Sequence, residues 1–186
     1  MAEKPLGNPA VVGLAGFGGT TLLLQFHNLG WCGAGPILWC ALFFGGLMQL
    51  AAGLQEFHTG NNFGLSVFST YGAFWMALGG ILLSTHYGIL SITTTDIGWF
   101  LVMFTAITLI FFIGAMKQNG VLAFTFLTLL LGFTCLGIGN LGGSAVFIKV
   151  AAIDLIICAI CAWYLMAHTI FAQLGWELPL GNPWIK

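Results

Sequence analysis

The polar side chains of this apolar sequence are concentrated in one stretch, residues 43–75. Gln49, Glu56, Asn61 and Tyr71 all lie within it, and Glu56 is one of only five acidic residues in the chain. A carboxylate beside a long hydrophobic run is costly unless it lines water or finds a partner. The stretch therefore predicts a place where polar groups meet water or a solute inside an apolar protein.

Gln49 and Glu56 lie seven residues apart, so a helix carries them on one face, with Ala52 and Gly53 close to the same stripe. A stripe of small and polar residues on an apolar helix is typical of a pore lining. In the alternative interpretation, Glu56 ends the helix and extends to the membrane interface beside His58. Both interpretations are open at the level of the sequence.

Further polar residues lie on the first apolar segment and near the end of the fifth. The first segment carries hydroxyls, amides and one imidazole: Thr20, Thr21, Gln25, His27 and Asn28. His27 either senses protons, since imidazole titrates near neutral pH, or is a hydrogen-bonded structural residue. The glycine-rich run 137–143 predicts a loosened helix end, with Asn140 available for hydrogen bonds.

The sixth apolar segment contains two charged residues and a pair of cysteines. Lys149 and Asp154 are spaced imperfectly for a helical ion pair, so Asp154 either pairs with Lys149 or faces a subunit contact. Cys158 and Cys161 form a C-x-x-C pattern, but no histidine or second cysteine pair completes a metal site. Packing inside a hydrophobic helix is the favoured interpretation of these cysteines.

Several classes of function are excluded by missing motifs. The sequence has no GxSxG nucleophile motif, no histidine-rich metal pattern and no glycine loop for phosphate. Four lysines, no arginine and a net charge of −1 leave no basic patch for nucleic acid. We therefore predict a protein that is not an enzyme and has no metal, cofactor or nucleic-acid partner.

The composition indicates an integral membrane protein whose main partner is the lipid bilayer. Of its 186 residues, 59% are hydrophobic and only 5% are charged, whereas soluble domains average about 25% charged residues. The N-terminus lacks a basic region followed by an apolar core and a small-residue cleavage site. The first apolar segment is therefore expected to remain as a membrane span.

A membrane core about 30 Å thick requires about 20 apolar helical residues, and six segments meet this requirement. We predict one all-α domain over residues 1–186, with spans at about 9–29, 36–56, 62–83, 97–116, 121–138 and 145–171. Prolines open the first two spans, as is typical of a first helical turn. The run Thr93–Asp96 is expected to cap the fourth span.

The lysines predict the orientation of the chain. With the N-terminus in the cytoplasm, Lys4, Lys117 and Lys186 lie inside and only Lys149 lies outside, in agreement with the positive-inside rule. The tail from Gly175 onward, which contains two prolines and two tryptophans, is expected at the membrane interface.

Several motifs along the chain match those of one known protein family. The stretch 8–17, NPAVVGLAGF, is similar to the family signature NPAPLGL-x-GF, with Val11 where the family usually has proline. The match continues through Gly45-Gly46, Gln49, Ala52-Gly53, Glu56-Phe57, Gly60-Asn61, Phe63-Gly64, Tyr71-Gly72, Phe74-Trp75 and Gly139-Asn140. Together these motifs resemble those of the acetate uptake transporter family, the succinate–acetate permeases and their fungal relatives, and the resemblance covers nearly the whole chain.

This resemblance implies a homohexamer in which each six-helix protomer surrounds its own pore, in a fold shared with acid-activated urea channels. It also implies a narrow hydrophobic constriction formed by one Phe, one Tyr and one Leu. At the matching positions these are Phe17, Tyr71 and Leu129. Leu129 is placed by its distance from Asn140 rather than by a local motif.

We therefore expect transport of acetate, and of succinate or other small carboxylates, across a prokaryotic cytoplasmic membrane. Polar residues expected along the pathway are Thr20, Thr21, Gln49, Glu56, Asn61 and Asn140. Proton symport and an anion channel are both compatible with one narrow path. A channel for a neutral solute such as urea, ammonia or undissociated acid needs the same apolar pore, whereas a membrane scaffold would show no flux.

Overall fold

The computed structural model describes residues 7–186, so Lys4 lies outside the described residues. The described part of the chain is helical and contains no strand. Its elements are α1 (Ala10–Asn28), α2 (Gly35–Trp39), a π-helical segment (Cys40–Met48), α3 (Gln49–Thr59), α4 (Asn62–His86), α5 (Thr94–Met116), α6 (Gly120–Gly142) and α7 (Ala145–Ala172).

Six helical spans are long and apolar enough to cross a membrane. Five are single helices, and the second span, Gly35–Thr59, joins α2, the π segment and α3. The spans contain 19 to 28 residues, which fits a hydrocarbon core that requires about 20. The prediction of an all-α membrane protein with six spans is confirmed.

Side-chain caps explain where several of these helices begin. The Thr93 hydroxyl accepts a hydrogen bond from Asp96 N, while the Asp96 carboxylate accepts one from Thr93 N at 2.8 Å, so the two residues form a capping box. Asn61 and Asn119 cap α4 and α6 by accepting bonds from backbone N–H groups. The predicted cap in the Thr93–Asp96 run is therefore confirmed.

The glycine-rich end of the fifth span is a regular helix, so the predicted loosening was wrong. Helix α6 continues to Gly142, and Asn140 Nδ2 donates to the Leu136 carbonyl one turn back at 2.8 Å. A Cβ added at Gly139 would lie 2.6 Å from Ile148 Cδ1. The glycine allows α7 to pack closely against α6, and that packing holds the helix intact.

The C-terminal tail, residues 173–186, folds back onto the α5–α6 turn. Val121 N donates to the Leu180 carbonyl and Trp184 N donates to the Met116 carbonyl, both at 2.9 Å. The Trp184 ring also packs edge-on against Phe112. These bonds hold the tail at the same end of the bundle as the start of α1 and the end of α7.

Close approach of α1 to the second span depends on glycine at position 16. A Cβ at Gly16 would collide with the backbone carbonyl oxygen of Phe44 in the π segment and would lie 3.1 Å from the carbonyl carbon. Backbone atoms cannot rotate away as a flexible side chain can. Small residues of this kind allow membrane helices to pack backbone to backbone.

We expect Gly16→Ala to lower the thermal unfolding midpoint of the detergent-purified protein, because overpacking costs about 1–3 kcal/mol. Gly80→Ala in α4 is the matched control, since a Cβ there meets nothing within 4 Å and alanine favours helix. For each variant, the midpoint is the temperature at which half of the protein is no longer monodisperse after heating. An unchanged midpoint for Gly16→Ala would show that the two backbones can separate without cost.

Candidate functional site

Two cavities of similar size lie within the helix bundle. The inner cavity, about 200 Å³, lies at the end that contains the start of α1, the α5–α6 turn and the tail. The outer cavity, about 190 Å³, lies at the opposite end, beside the end of α1 and the start of α5. Four or more helices contribute residues to the lining of each cavity.

Phe17, Tyr71 and Leu129 are the three residues common to the linings of both cavities. All three are buried, with exposed fractions of 7%, 1% and 3%. The Phe17 and Tyr71 rings lie 5.8 Å apart between centroids. We call this group the neck. The structure thus brings together the three residues predicted to form a constriction, and their role in restricting passage stays a prediction.

The Tyr71 hydroxyl donates a hydrogen bond within the protein, so Tyr71 contributes its ring to the neck. The Thr108 hydroxyl donates to the Phe104 carbonyl at 2.7 Å, so it has no proton left for Tyr71. The Tyr71 hydroxyl, 2.8 Å from Thr108 Oγ1, must therefore be the donor in that bond. Phenylalanine rings surround the Tyr71 ring: Phe111, Phe126 and Phe133. The neck is consequently apolar in spite of its tyrosine.

Gln49 is the most conspicuous polar group of the inner cavity. Its side chain is fully buried and lines the cavity. Neither its amide nitrogen nor its amide oxygen has a hydrogen-bond partner among the described residues. An unpartnered amide in a buried position is costly unless a solute or water pairs with it. Gln49 therefore lies in the wall of the inner cavity with both amide atoms unpaired.

Glu56 lies behind the inner cavity and does not line it. It is only 1% exposed, so it does not extend to the membrane interface, and it lines neither cavity although it was predicted along the pathway. Its Oε2 accepts bonds from Thr59 Oγ1 at 2.8 Å and from Asn61 Nδ2 at 3.1 Å. Asn61 does line the cavity and accepts a bond from Gly64 N at 3.0 Å. Glu56 thus fixes the turn that forms one wall.

The outer cavity also has unpartnered polar atoms. Thr21 Oγ1 and Trp75 Nε1 are buried, line this cavity and have no partner among the described residues. Asn140 lines it too, with its amide nitrogen donating to Leu136. His27 lines the same cavity, and its Nδ1 lies 3.0 Å from the Cys32 carbonyl, which is a structural hydrogen bond.

Thr20, predicted on the pathway, lines neither cavity. Its side chain faces the second span, where a Cβ added at Gly45 would lie 2.6 Å from the Thr20 hydroxyl oxygen. The neighbouring Thr21 points to the cavity instead, since adjacent helical residues project about 100° apart. The sequence does not reveal which of two adjacent threonines faces the pore.

The charged and sulfur-containing residues of α7 lie away from both cavities. Lys149 is exposed, whereas Asp154 is half-buried and its Oδ2 has no partner among the described residues. Cys158 is buried and its thiol donates to the Thr125 carbonyl at 3.3 Å, as expected for packing. Residues 7–186 contain no cluster of His, Cys, Asp and Glu suited to a metal.

His168 was not among the site residues predicted from the sequence. This residue of α7 lines the inner cavity, and its Nδ1 lies 2.7 Å from the Leu178 carbonyl of the tail. Leu180 of the tail lines the same cavity. An ionisable residue inside an apolar span is itself a signal of function, and that signal could have identified His168 from the sequence.

We expect Glu56→Ala to lower the thermal unfolding midpoint by several degrees. The substitution removes the carboxylate that accepts from Asn61 Nδ2 and Thr59 Oγ1, although Thr59 keeps its bond to the backbone carbonyl at position 56. A hydrogen bond to a charged group is worth about 1.5–3 kcal/mol. Glu177→Ala, at an exposed tail position, is the control and should leave the midpoint unchanged. Equal midpoints for both variants would contradict the anchoring role of Glu56.

Comparison with known proteins places the chain in a family. The model of the GPR1/FUN34/yaaH family matches residues 1–175. The "Succinate-acetate/proton symporter SatP" of Escherichia coli is 40% identical over 98% of this chain and 99% of that protein. "Ammonia transport outward protein 2" of Saccharomyces cerevisiae is 31% identical over 88% of this chain and 62% of that protein.

The fold is similar to a solved structure described as the "bacterial acetate channel SatP". The TM-score is 0.92, with 40% identity, 95% of this chain covered and 100% of the other. With the match to the family model, this similarity extends through all six spans. The chain belongs to the GPR1/FUN34/yaaH family.

Proposed function

We propose that this multi-pass membrane protein transports acetate, and succinate or other small carboxylates, across the cytoplasmic membrane. The observation that carries the proposal is the shared lining: Phe17, Tyr71 and Leu129 border both cavities. One path therefore runs from the inner cavity through the neck to the outer cavity. The names of the relatives, a succinate-acetate symporter and an acetate channel, supply the substrate class.

The inner cavity suits a small carboxylate because Gln49 offers both hydrogen-bonding roles. Its amide nitrogen can donate a hydrogen bond to a carboxylate oxygen, and its amide oxygen can accept one from the hydroxyl of an undissociated acid. The cavity lining contains no lysine, and the chain has no arginine. Binding by the neutral amide of Gln49 is weak enough for the solute to leave again, as conduction requires.

The neck and the outer cavity complete the path. At the neck the solute passes between apolar groups and sheds its water, because an apolar constriction disfavours hydrated ions. Beyond the neck, Thr21 Oγ1 and Trp75 Nε1 are unpartnered donors that can receive the carboxylate. The polar atoms in the two cavities thus offset the loss of the solute's water at the neck.

The homohexamer implied by the family resemblance is part of the proposal. Apolar side chains on the outer face of α7 are exposed in the single protomer, including Ile153, Ile157 and Ile160. In the proposed assembly, neighbouring protomers and lipid cover such faces, and each protomer keeps its own pore. The N-terminus and tail lie on the cytoplasmic side in this arrangement.

A channel for a small neutral solute remains the second candidate, because one relative is named an ammonia transport protein. The apolar neck admits a neutral molecule as readily as a dehydrated acid. Competition in proteoliposomes separates the two functions: unlabelled acetate reduces entry of labelled acetate in an acetate transporter, whereas ammonia should not compete. Sensitivity to the membrane potential distinguishes an anion channel from proton symport, because a potential drives acetate anions through a channel whereas symport of acetate with one proton is electroneutral.

We expect Tyr71→Ala and Leu129→Ala to raise labelled-acetate flux into proteoliposomes by about threefold or more, because widening removes a dewetted barrier. Both variants should also admit larger monocarboxylates, such as butyrate. Leu131→Ala is the control, since Leu131 is exposed on α6 and lines neither cavity. Unchanged flux and unchanged selectivity in both neck variants would remove the neck from the mechanism.

We expect Gln49→Leu to lower acetate flux by about tenfold, since a hydrogen bond to a charged group is worth about 1.5–3 kcal/mol. Its thermal midpoint should stay the same or rise, because neither amide atom has a partner to lose. Gln55→Leu, at an exposed position of the same helix that lines neither cavity, is the matched control. Normal flux in Gln49→Leu would refute the binding role.

A further inference from the structure

His168 lies where α7, the inner cavity and the C-terminal tail meet. It is half-buried and lines the inner cavity, and its Nδ1 lies 2.7 Å from the Leu178 carbonyl. Tyr164, one turn earlier on α7, donates its hydroxyl proton to the Pro179 carbonyl at 2.8 Å. Two adjacent tail carbonyls are thus held by two side chains of one helix.

The lining of the inner cavity contains two titratable side chains, His168 and Tyr71. The Tyr71 hydroxyl is bonded to Thr108 at the neck. Lysine is absent from this lining, and the chain contains no arginine. His168 is therefore the one side chain of the lining that can carry a positive charge.

The bond to the tail determines which ring nitrogen exchanges protons. A carbonyl oxygen has no proton to give, so Nδ1–H of His168 must be the donor whether the ring is neutral or protonated. A second proton on the ring would therefore be carried by Nε2. This nitrogen makes no hydrogen bond within residues 7–186 and is not fully buried.

The other titratable groups near this corner are engaged elsewhere or face solvent. Lys117 on the α5–α6 turn donates to the Lys186 backbone carbonyl. Glu177, the neighbour of Leu178 in the tail, is exposed. Tyr164 is bonded to the tail. None of them is hydrogen-bonded to His168 in the described structure, so Nε2 is left free for a solute.

We propose that His168, when protonated, binds the transported carboxylate through Nε2–H in the inner cavity and releases it on losing that proton to water. Nδ1–H holds the tail in both states, so the cavity wall does not move as the charge changes. The proposal rests on the proposed transport of carboxylates. It makes His168 the residue that couples the protonation state of the protein to occupancy of the path.

The experiment measures exchange of labelled acetate in proteoliposomes at equal internal and external pH, at pH 6 and pH 8, with flux into protein-free liposomes subtracted. An ordinary imidazole is mostly protonated at the first pH and mostly neutral at the second. His168→Gln keeps an N–H for Leu178 without a titrating group, and His168→Lys keeps a positive charge at both pH values. His58→Gln, at an exposed inner position that lines neither cavity, is the control.

The measured quantity is the ratio of flux at pH 6 to flux at pH 8, because acetate speciation is identical for all four proteins. We expect this ratio to fall about threefold or more in both His168 variants. The Gln variant should lose flux at pH 6, and the Lys variant should gain flux at pH 8. The His58 variant should keep the wild-type ratio. The opposite directions of change exclude a simple folding defect.

A wild-type ratio in both His168 variants would overturn the inference, and so would loss of the ratio in His58→Gln. Absence of any wild-type flux above the protein-free level would instead refute the proposed transport function. The two failures are therefore distinguishable in one set of measurements.

Discussion

Leaving a polar atom unpaired inside an apolar span is costly, and this constraint organises the structure. Most hydroxyls within the spans meet it locally: Thr105, Thr125 and Thr134 each donate to the carbonyl one turn back. The exceptions that line a cavity are Gln49 on one side and Thr21 and Trp75 on the other. Thr20, Glu56, Ser69 and Asp154 also have unpaired buried atoms but line neither cavity, so the unpaired atoms beside a cavity are those of Gln49, Thr21 and Trp75.

The same constraint explains why the neck is dry. Tyr71 brings a hydroxyl to the centre of the protein. Thr108 accepts the hydrogen bond from that hydroxyl, so the hydroxyl cannot donate one to a solute. Glu56 brings a carboxylate, which Thr59 and Asn61 turn away from the cavity. The Tyr71 hydroxyl and Glu56 Oε2 are thus engaged within the protein, whereas Glu56 Oε1 has no partner among the described residues.

The sequence was sufficient for the features that depend on local patterns. Hydropathy predicted six spans, and the capping residues Thr93 and Asp96 predicted the start of α5. The seven-residue spacing of Gln49 and Glu56 predicted their common buried face, and the resemblance selected the three residues that border both cavities. Each of these features depends on helical period, capping chemistry or a motif that lies within a short stretch of the chain.

What the sequence could not supply depends on contacts between distant segments. The bond from His168 reaches a backbone carbonyl of an irregular tail, and no side-chain pattern encodes a backbone partner. The predicted loosening of the helix around Asn140 was wrong because a glycine-rich run in a sequence resembles a broken helix end. In the structure, Ile148 of α7 packs into the space beside Gly139. The burial of Glu56 follows from the turn that folds Asn61 back over it.

The π segment adds a consequence for insertions and deletions in the second span. An α-helix turns about 100° per residue, and a π-bulge accommodates one extra residue within such a helix. Gln49 is the first residue after the segment Cys40–Met48. Deleting one residue of that segment and restoring regular α-helix would rotate Gln49 relative to Ile37 and the start of the span. The length of the π segment therefore determines the angular position of the inner-cavity amide, although none of its residues lines either cavity.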